Sequence, residues 1–163
     1  MEFVDVGDHG FSMLATGEVD VLGGQEWNLE SDVREPTTGL GFSFSEPYFY
    51  RPNHEVGSWS FEMPDNLCMV TLQDDSDWAS FVYWIVAAAT YAEQEGISSL
   101  ESNSMPTTNH YGPALTRMFR DSVLESGNYH EIYSRNLNIS RTGRNQLYSG
   151  DWFGPHHYPV PRL

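Results

Sequence analysis

Between Ser76 and Gly96 the chain carries a pattern that a helix satisfies and a strand does not. Trp78, Phe81, Val82, Ile85, Val86 and Ala89 recur at three- and four-residue intervals, so a helix over 77–95 gathers them into one buried stripe. Ser76 is placed to cap its N-terminus, and Asp77 sits in the first turn, where the helix dipole favours an anion. Gly96 supplies the stop. A second helix is expected from Pro113, a favoured first-turn residue, with Leu115, Met118, Phe119, Ser122 and Val123 on its inner face and Gly127 closing it. A third, short helix is expected over 129–136.

The strands are shorter signals. Residues 3–6 alternate apolar and acidic, Asp8 is placed to cap a brief helix holding Phe11, Met13 and Leu14, and Gly17 ends it in the left-handed conformation. Glu18-Val19-Asp20-Val21-Leu22 reads as a strand stopped by Gly23-Gly24. A strand–helix–strand unit with short joints predicts α/β architecture with a parallel sheet. Phe42-Ser43-Phe44-Ser45 alternates as a strand ended by Pro47, and 67–72 is a compact apolar strand. Residues 25–41, 51–66 and 97–111 read as loops, and the Pro- and Gly-bearing tail from Thr142 as an extended cover.

Charge narrows the range of partners. The net charge is −15, all eight basic residues are Arg, and Lys is absent. Such a surface repels nucleic-acid phosphates and anionic lipid headgroups, so neither nucleic acid nor membrane insertion is expected. The longest strongly apolar stretch, 81–89, is too short to span a bilayer. The start, residues 1–8, is acidic and has neither the basic flank nor the apolar core of an export signal, so the sequence as it stands reads as soluble and not addressed for secretion. Asn138-Ile139-Ser140 is a glycosylation sequon that acquires meaning only on a secretory route.

Chemistry-bearing motifs are few. The single Cys68 excludes an intramolecular disulfide and a Cys-based zinc site, and its apolar neighbours make it a buried small hydrophobe. His156-His157 point to opposite faces of an extended chain, and His9, His54, His110 and His130 lack helical i, i+4 spacing, so no metal site is expected. Asp74, Asp75 and Asp77 lack the turn glycine and closing Glu of an EF-hand and read as helix caps. With no Lys there is no Walker site, and no Gly-x-Ser-x-Gly elbow occurs. Neither a cofactor nor enzymatic activity is expected.

Trp27, Asn28, Arg34, Phe44 and Tyr48 follow strand ends, where open α/β sheets place ligand crevices. An amino-acid site needs a guanidinium fork for the α-carboxylate, an acid for the ammonium and an aromatic or apolar wall. Arg34 is a candidate for the first role, with pairing to Glu30, Asp32 or Glu35 as the equally weighted alternative.

Two blocks carry a family resemblance. Gly17-Glu18-Val19-Asp20-Val21-Leu22, Trp27-Asn28-Leu29 and Phe44-Ser45-Glu46-Pro47-Tyr48 resemble lobe 1 of the amino-acid-binding proteins that serve ABC importers (type II periplasmic binding proteins, solute-binding family 3). Residues 75–92 and 127–135 resemble the C-terminal helices of the general L-amino-acid binders, and Gly143-Arg144-Asn145 fits the same tail. The resemblance implies one partial solute-binding domain over 1–163. Within it, 1–50 is a lobe-1 segment, 51–66 is a linker where the family inserts lobe 2, and 67–163 is the helical part with C-terminal helices packed on a small sheet. The resemblance implies a truncated member, without lobe 2 and without the family's first strand, first helix and export signal, which should precede Met1 and do not. Aligning Trp27 and Asp32 puts Ser31 where the family keeps its carboxylate-binding Arg, with Arg34 as the candidate substitute. The implied site is therefore Trp27, Asn28, Ser31, Arg34 and Phe44. The implied ligand is a polar L-amino acid, the implied partner a membrane permease or receptor, and the implied compartment periplasmic or extracellular. With one lobe the expected binding is weak or lost. The alternative reading is a non-catalytic interaction module or a non-functional gene fragment.

Overall fold

The computed structural model describes residues 4–5, 9–25, 41–45, 67–137 and 140–141. They fall into two compact units that divide between Tyr83 and Trp84. The fold class is mixed: helices together with a small three-stranded sheet.

In the first unit, helix α1 (Gly10–Thr16) ends where the sequence places its stop. Gly17 takes φ 73°, its N–H reaches Leu14 O at 3.2 Å, and Glu18 N–H reaches Met13 O at 2.8 Å. This pair of bonds is a Schellman closure and satisfies carbonyls that the helix end leaves open. The N-cap is His9, with no capping side-chain bond; Asp8 lies outside the described residues.

The sheet differs from the expectation. Strands β1 (Leu22–Gln25), β2 (Phe42–Phe44) and β3 (Leu67–Leu72) are ordered β1-β3-β2, and both pairings are antiparallel. The expected parallel unit needed a strand ahead of α1, and Val4 and Asp5 are not in one. Strand β1 also begins four residues late and runs through the glycines meant to stop it, with Gly23 opposite Met69 and Gly24 opposite Cys68. A ladder bond uses the backbone alone, so glycine is tolerated where another backbone approaches closely. Along β3, Cys68, Val70 and Thr71 are buried while Leu67, Met69 and Leu72 are half-buried. Ser45 lengthens the β2 edge: its N–H donates to Met69 O at 2.8 Å and its Oγ accepts from Met69 N–H at 3.0 Å.

Leu14, Leu22, Cys68 and Val70 form the core of this unit, with Phe11, Val19, Phe42, Phe44 and Leu72 packed against it. Phe11 meets Phe42 edge-to-face with centroids 5.2 Å apart.

Helix α2 (Ser76–Gln94) begins one residue before the expected start, so its cap is Asp75, whose Oδ1 accepts from Trp78 N–H at 2.9 Å. It closes at Gly96 (φ 67°) by the same double bond as α1: Gly96 N–H to Glu93 O and Ile97 N–H to Ala92 O. The large residues of the expected stripe are only half-buried; Ala87, Ala88 and Ala92 are the fully buried ones, together with Glu93. Alanine lets neighbouring chain approach the helix backbone, so the smallest apolar face is buried deepest.

The second unit continues through a 3₁₀ turn (Ser99–Ser104) inside the expected loop, a 3₁₀ turn at Pro113–Leu115, helix α3 (Met118–Ser126) and helix α4 (Tyr129–Asn136). Pro113 therefore opens a 3₁₀ turn, and the α-helix itself starts at Met118. Helix α3 packs on the Ser99–Ser104 turn. Its inner face is the expected one for Met118, Phe119 and Val123, whereas Leu115 stays exposed. No helix of the described residues is long and apolar enough to cross a membrane.

Candidate functional site

A dense group of polar contacts lies at the α3–α4 corner, in the segment 127–135. Gly127 has φ 86° and ψ 174°, a region open essentially only to glycine. A Cβ there would stand 2.8 Å from Glu131 Cβ. The glycine thus lets the chain turn against the side chain that organises the corner.

Asn128 and Glu131 form a capping box: Asn128 Oδ1 accepts from Glu131 N–H and Glu131 Oε2 accepts from Asn128 N–H, both at 2.9 Å. Both side chains then reach a second segment. Glu131 Oε2 also accepts from Ser99 N–H at 2.9 Å, and Oε1 from the Ser99 hydroxyl at 2.8 Å. Asn128 Nδ2 donates to Ile97 O at 2.9 Å. The Asn128 backbone N–H holds the Glu131 carboxyl below the ordinary value of 4.5; the Ser99 hydroxyl, the Ser99 N–H and the charge of Arg135 act the same way, against the opposing effect of burial. Arg135 also donates to Ser126 O at 2.8 Å, at the C-terminal end of α3.

A second cluster adjoins it. Arg141 makes a two-pronged bond to Glu93, Nη1 to Oε1 and Nη2 to Oε2, the latter at 3.0 Å. Only 6% of the Glu93 side chain and 17% of the Arg141 side chain are exposed. The guanidinium carbon lies 5.0 Å from the Tyr129 ring centroid and 5.5 Å from that of Tyr133. A planar cation is thus held in its plane by a carboxylate and flanked by two aromatic rings.

Of the residues expected to bind ligand, Phe44 is described, and it packs half-buried on the sheet core opposite Val70. Trp27, Asn28, Ser31 and Arg34 lie outside the described residues, as do Tyr48, His54, His156, His157 and Asn138. His9, His110 and His130 are exposed, and Cys68 is 1% exposed. No group of three or more His, Cys, Asp or Glu among the described residues is placed to hold a metal ion. Asn128 and Glu131 lie in the resembling segment 127–135, but neither they nor Glu93 and Arg141 are among the residues expected to form a site. Asn-x-x-Glu ahead of a helix is a local capping signal that sequence inspection can find; Glu93 and Arg141, 48 residues apart, carry none.

No protein-family model, curated protein or solved structure matches the chain.

Proposed function

We propose that the chain is a single-lobe relative of the amino-acid-binding proteins of ABC-type importers, not an enzyme, in which capture of a polar L-amino acid is weak or lost. Its place on this reading is periplasmic or extracellular, beside a permease or receptor. The observation that supports the reading is the corner at 127–135, part of the second resembling block, where glycine stop, capping box and short helix occur in sequence. The carboxylates of this unit's two clusters are occupied by internal partners, Glu131 by Ser99 and Asn128 and Glu93 by Arg141. On this reading the ligand contacts rest with Trp27, Asn28, Ser31, Arg34 and Phe44.

The energetics explain why binding is weak. Closure of two lobes desolvates a ligand and completes its polar contacts from both sides. An ion pair on an open half-site contributes about 0–1 kcal/mol, against about 8 kcal/mol for a micromolar complex. Isothermal titration against the common L-amino acids is expected to give dissociation constants above a millimolar, or no heat; a submillimolar constant overturns the loss of binding. Weak binding that Arg34→Ala abolishes supports the placement of the site, and weak binding indifferent to Arg34 and Trp27 substitution overturns it.

A further inference from the structure

We propose that Glu93, Tyr129 and Tyr133 form a guanidinium-binding slot that Arg141 fills from within the chain, and that an arginine side chain of a basic peptide takes this slot when Arg141 withdraws. The slot has the three parts such a ligand requires. The Glu93 carboxylate, 6% exposed, presents both oxygens to one cation, a geometry that matches the guanidinium fork and not the point charge of an ammonium. Tyr129 and Tyr133 set ring faces 5.0 and 5.5 Å from the cation's centre, where the ring quadrupole attracts positive charge. The two rings hold each other in an edge-to-face arrangement, 6.0 Å apart, on successive turns of α4. The rings' helix is tied at its start by Asn128 and Glu131 through bonds that do not involve Arg141.

The occupant differs from the walls. Arg141 follows α4 and is not itself part of a helix or strand. A tethered side chain competes with an added ligand at an effective concentration on the order of millimolar. The free protein therefore resists arginine peptides until Arg141 is displaced. The net charge of −15 attracts basic peptides and repels acidic ones. The slot lies wholly in the helical unit and uses none of residues 27–44, so it stands or falls apart from the amino-acid-binding reading.

The test uses the full chain with Arg141→Ala and Arg141→Gln, and N-acetyl-L-arginine amide as the probe. Each variant is expected to bind the probe at least about tenfold more tightly than the unsubstituted protein, because the internal competitor is gone. The bound probe raises Tm; N-acetyl-L-lysine amide binds more weakly, N-acetyl-L-citrulline amide does not bind, and adding Glu93→Gln removes the gain. If a variant is unfolded at the assay temperature, the probe is expected to restore its helical circular dichroism. Equal probe affinity for variant and unsubstituted protein, equal affinity for citrulline amide, or an unfolded variant that saturating probe does not restore each overturns the proposal.

Discussion

In the sheet unit, the segments around residues 22, 43 and 70 are joined by backbone ladder bonds, and Leu14 of α1 seals them together with Leu22, Cys68 and Val70. In the helical unit, the segments around residues 97, 128 and 141 are joined by side chains: Asn128 to Ile97, Glu131 to Ser99, Arg141 to Glu93. Apolar sealing is non-directional and tolerates exchange of one hydrophobe for another. Buried polar joints are directional, and removing one partner strands the other. The two units should therefore fail under different substitutions, and site-resolved hydrogen exchange can read each separately.

The largest effect is expected at the buried ion pair. Glu93→Ala leaves the Arg141 guanidinium, 17% exposed, without its carboxylate, and breaking such a pair costs about 3–5 kcal/mol. Amides of 118–136 should lose protection while those of 67–72 keep theirs. Replacing both partners, Glu93→Leu with Arg141→Leu, is expected to recover most of the loss, since a well-packed apolar pair often matches a buried ionic one. In the sheet unit, Leu14→Ala is expected to cost about 2–5 kcal/mol through its cavity, whereas Leu14→Met should cost under about 1.5 kcal/mol. Loss of protection in 67–72 on Glu93→Ala would erase the distinction between the units.

The glycines sharpen the comparison at a smaller scale. Gly17 and Gly127 both have positive φ, and a Cβ at Gly17 meets nothing within 4 Å. Gly17→Ala then carries only left-handed strain, about 1–2 kcal/mol. At Gly127 the added Cβ also collides with Glu131 at 2.8 Å and displaces the carboxylate that ties Asn128 to Ser99. Gly127→Ala should therefore cost more than Gly17→Ala, about 2–4 kcal/mol, measured by urea denaturation.

The helix-ending glycines also show what sequence can disclose. Gly17, Gly96 and Gly127 each end a helix as expected, and β3 and α4 occupy the expected residues, because glycine stops and short apolar runs are local signals; the cap of α2 lies one residue off, at Asp75 in place of the expected Ser76. Strand direction was not legible, since pairing partners such as Leu22 and Val70 lie far apart in sequence and a short joint does not dictate parallel order. Nor was the deep face of α2, because periodicity weighted by large residues passes over Ala87, Ala88 and Ala92. Of the expected ligand residues Phe44 alone falls in the described residues, and there it serves the core.

Acid offers a third separation. The Glu131 carboxyl is held below its ordinary value in the folded chain. Its contribution is therefore complete above the unfolded value of 4.5 and is lost as pH falls through the lowered folded value. Glu131→Gln places an amide NH₂ among the Ser99 and Asn128 donors and should cost about 1–3 kcal/mol at neutral pH. It should also flatten this residue's share of the acid-side decline. Guanidinium melts of both proteins between pH 3 and 7 check this, and an unchanged pH slope would remove Glu131 from the account.

The smallest effect has the opposite sign. Thr71 is 2% exposed, and its Oγ1 has no hydrogen-bond partner among the described residues. Its hydroxyl has been taken from water without compensation, which is unfavourable by roughly 1–3 kcal/mol. Thr71→Val keeps the branched shape suited to β3 and removes the stranded oxygen. Part of the gain is offset by fitting a methyl where the hydroxyl was, so a net rise of about 1 kcal/mol is expected. The corresponding loss of a polar group in the helical unit, Asn128→Ala, should instead lower stability by about 1–2 kcal/mol, because its amide serves both a cap and Ile97 O. Opposite signs for these two buried polar deletions would tie each sign to whether the deleted atom is engaged, Thr71 Oγ1 being unpartnered and Asn128 bonded at both ends. Destabilisation by Thr71→Val would show instead that the sheet unit also depends on a polar joint at β3.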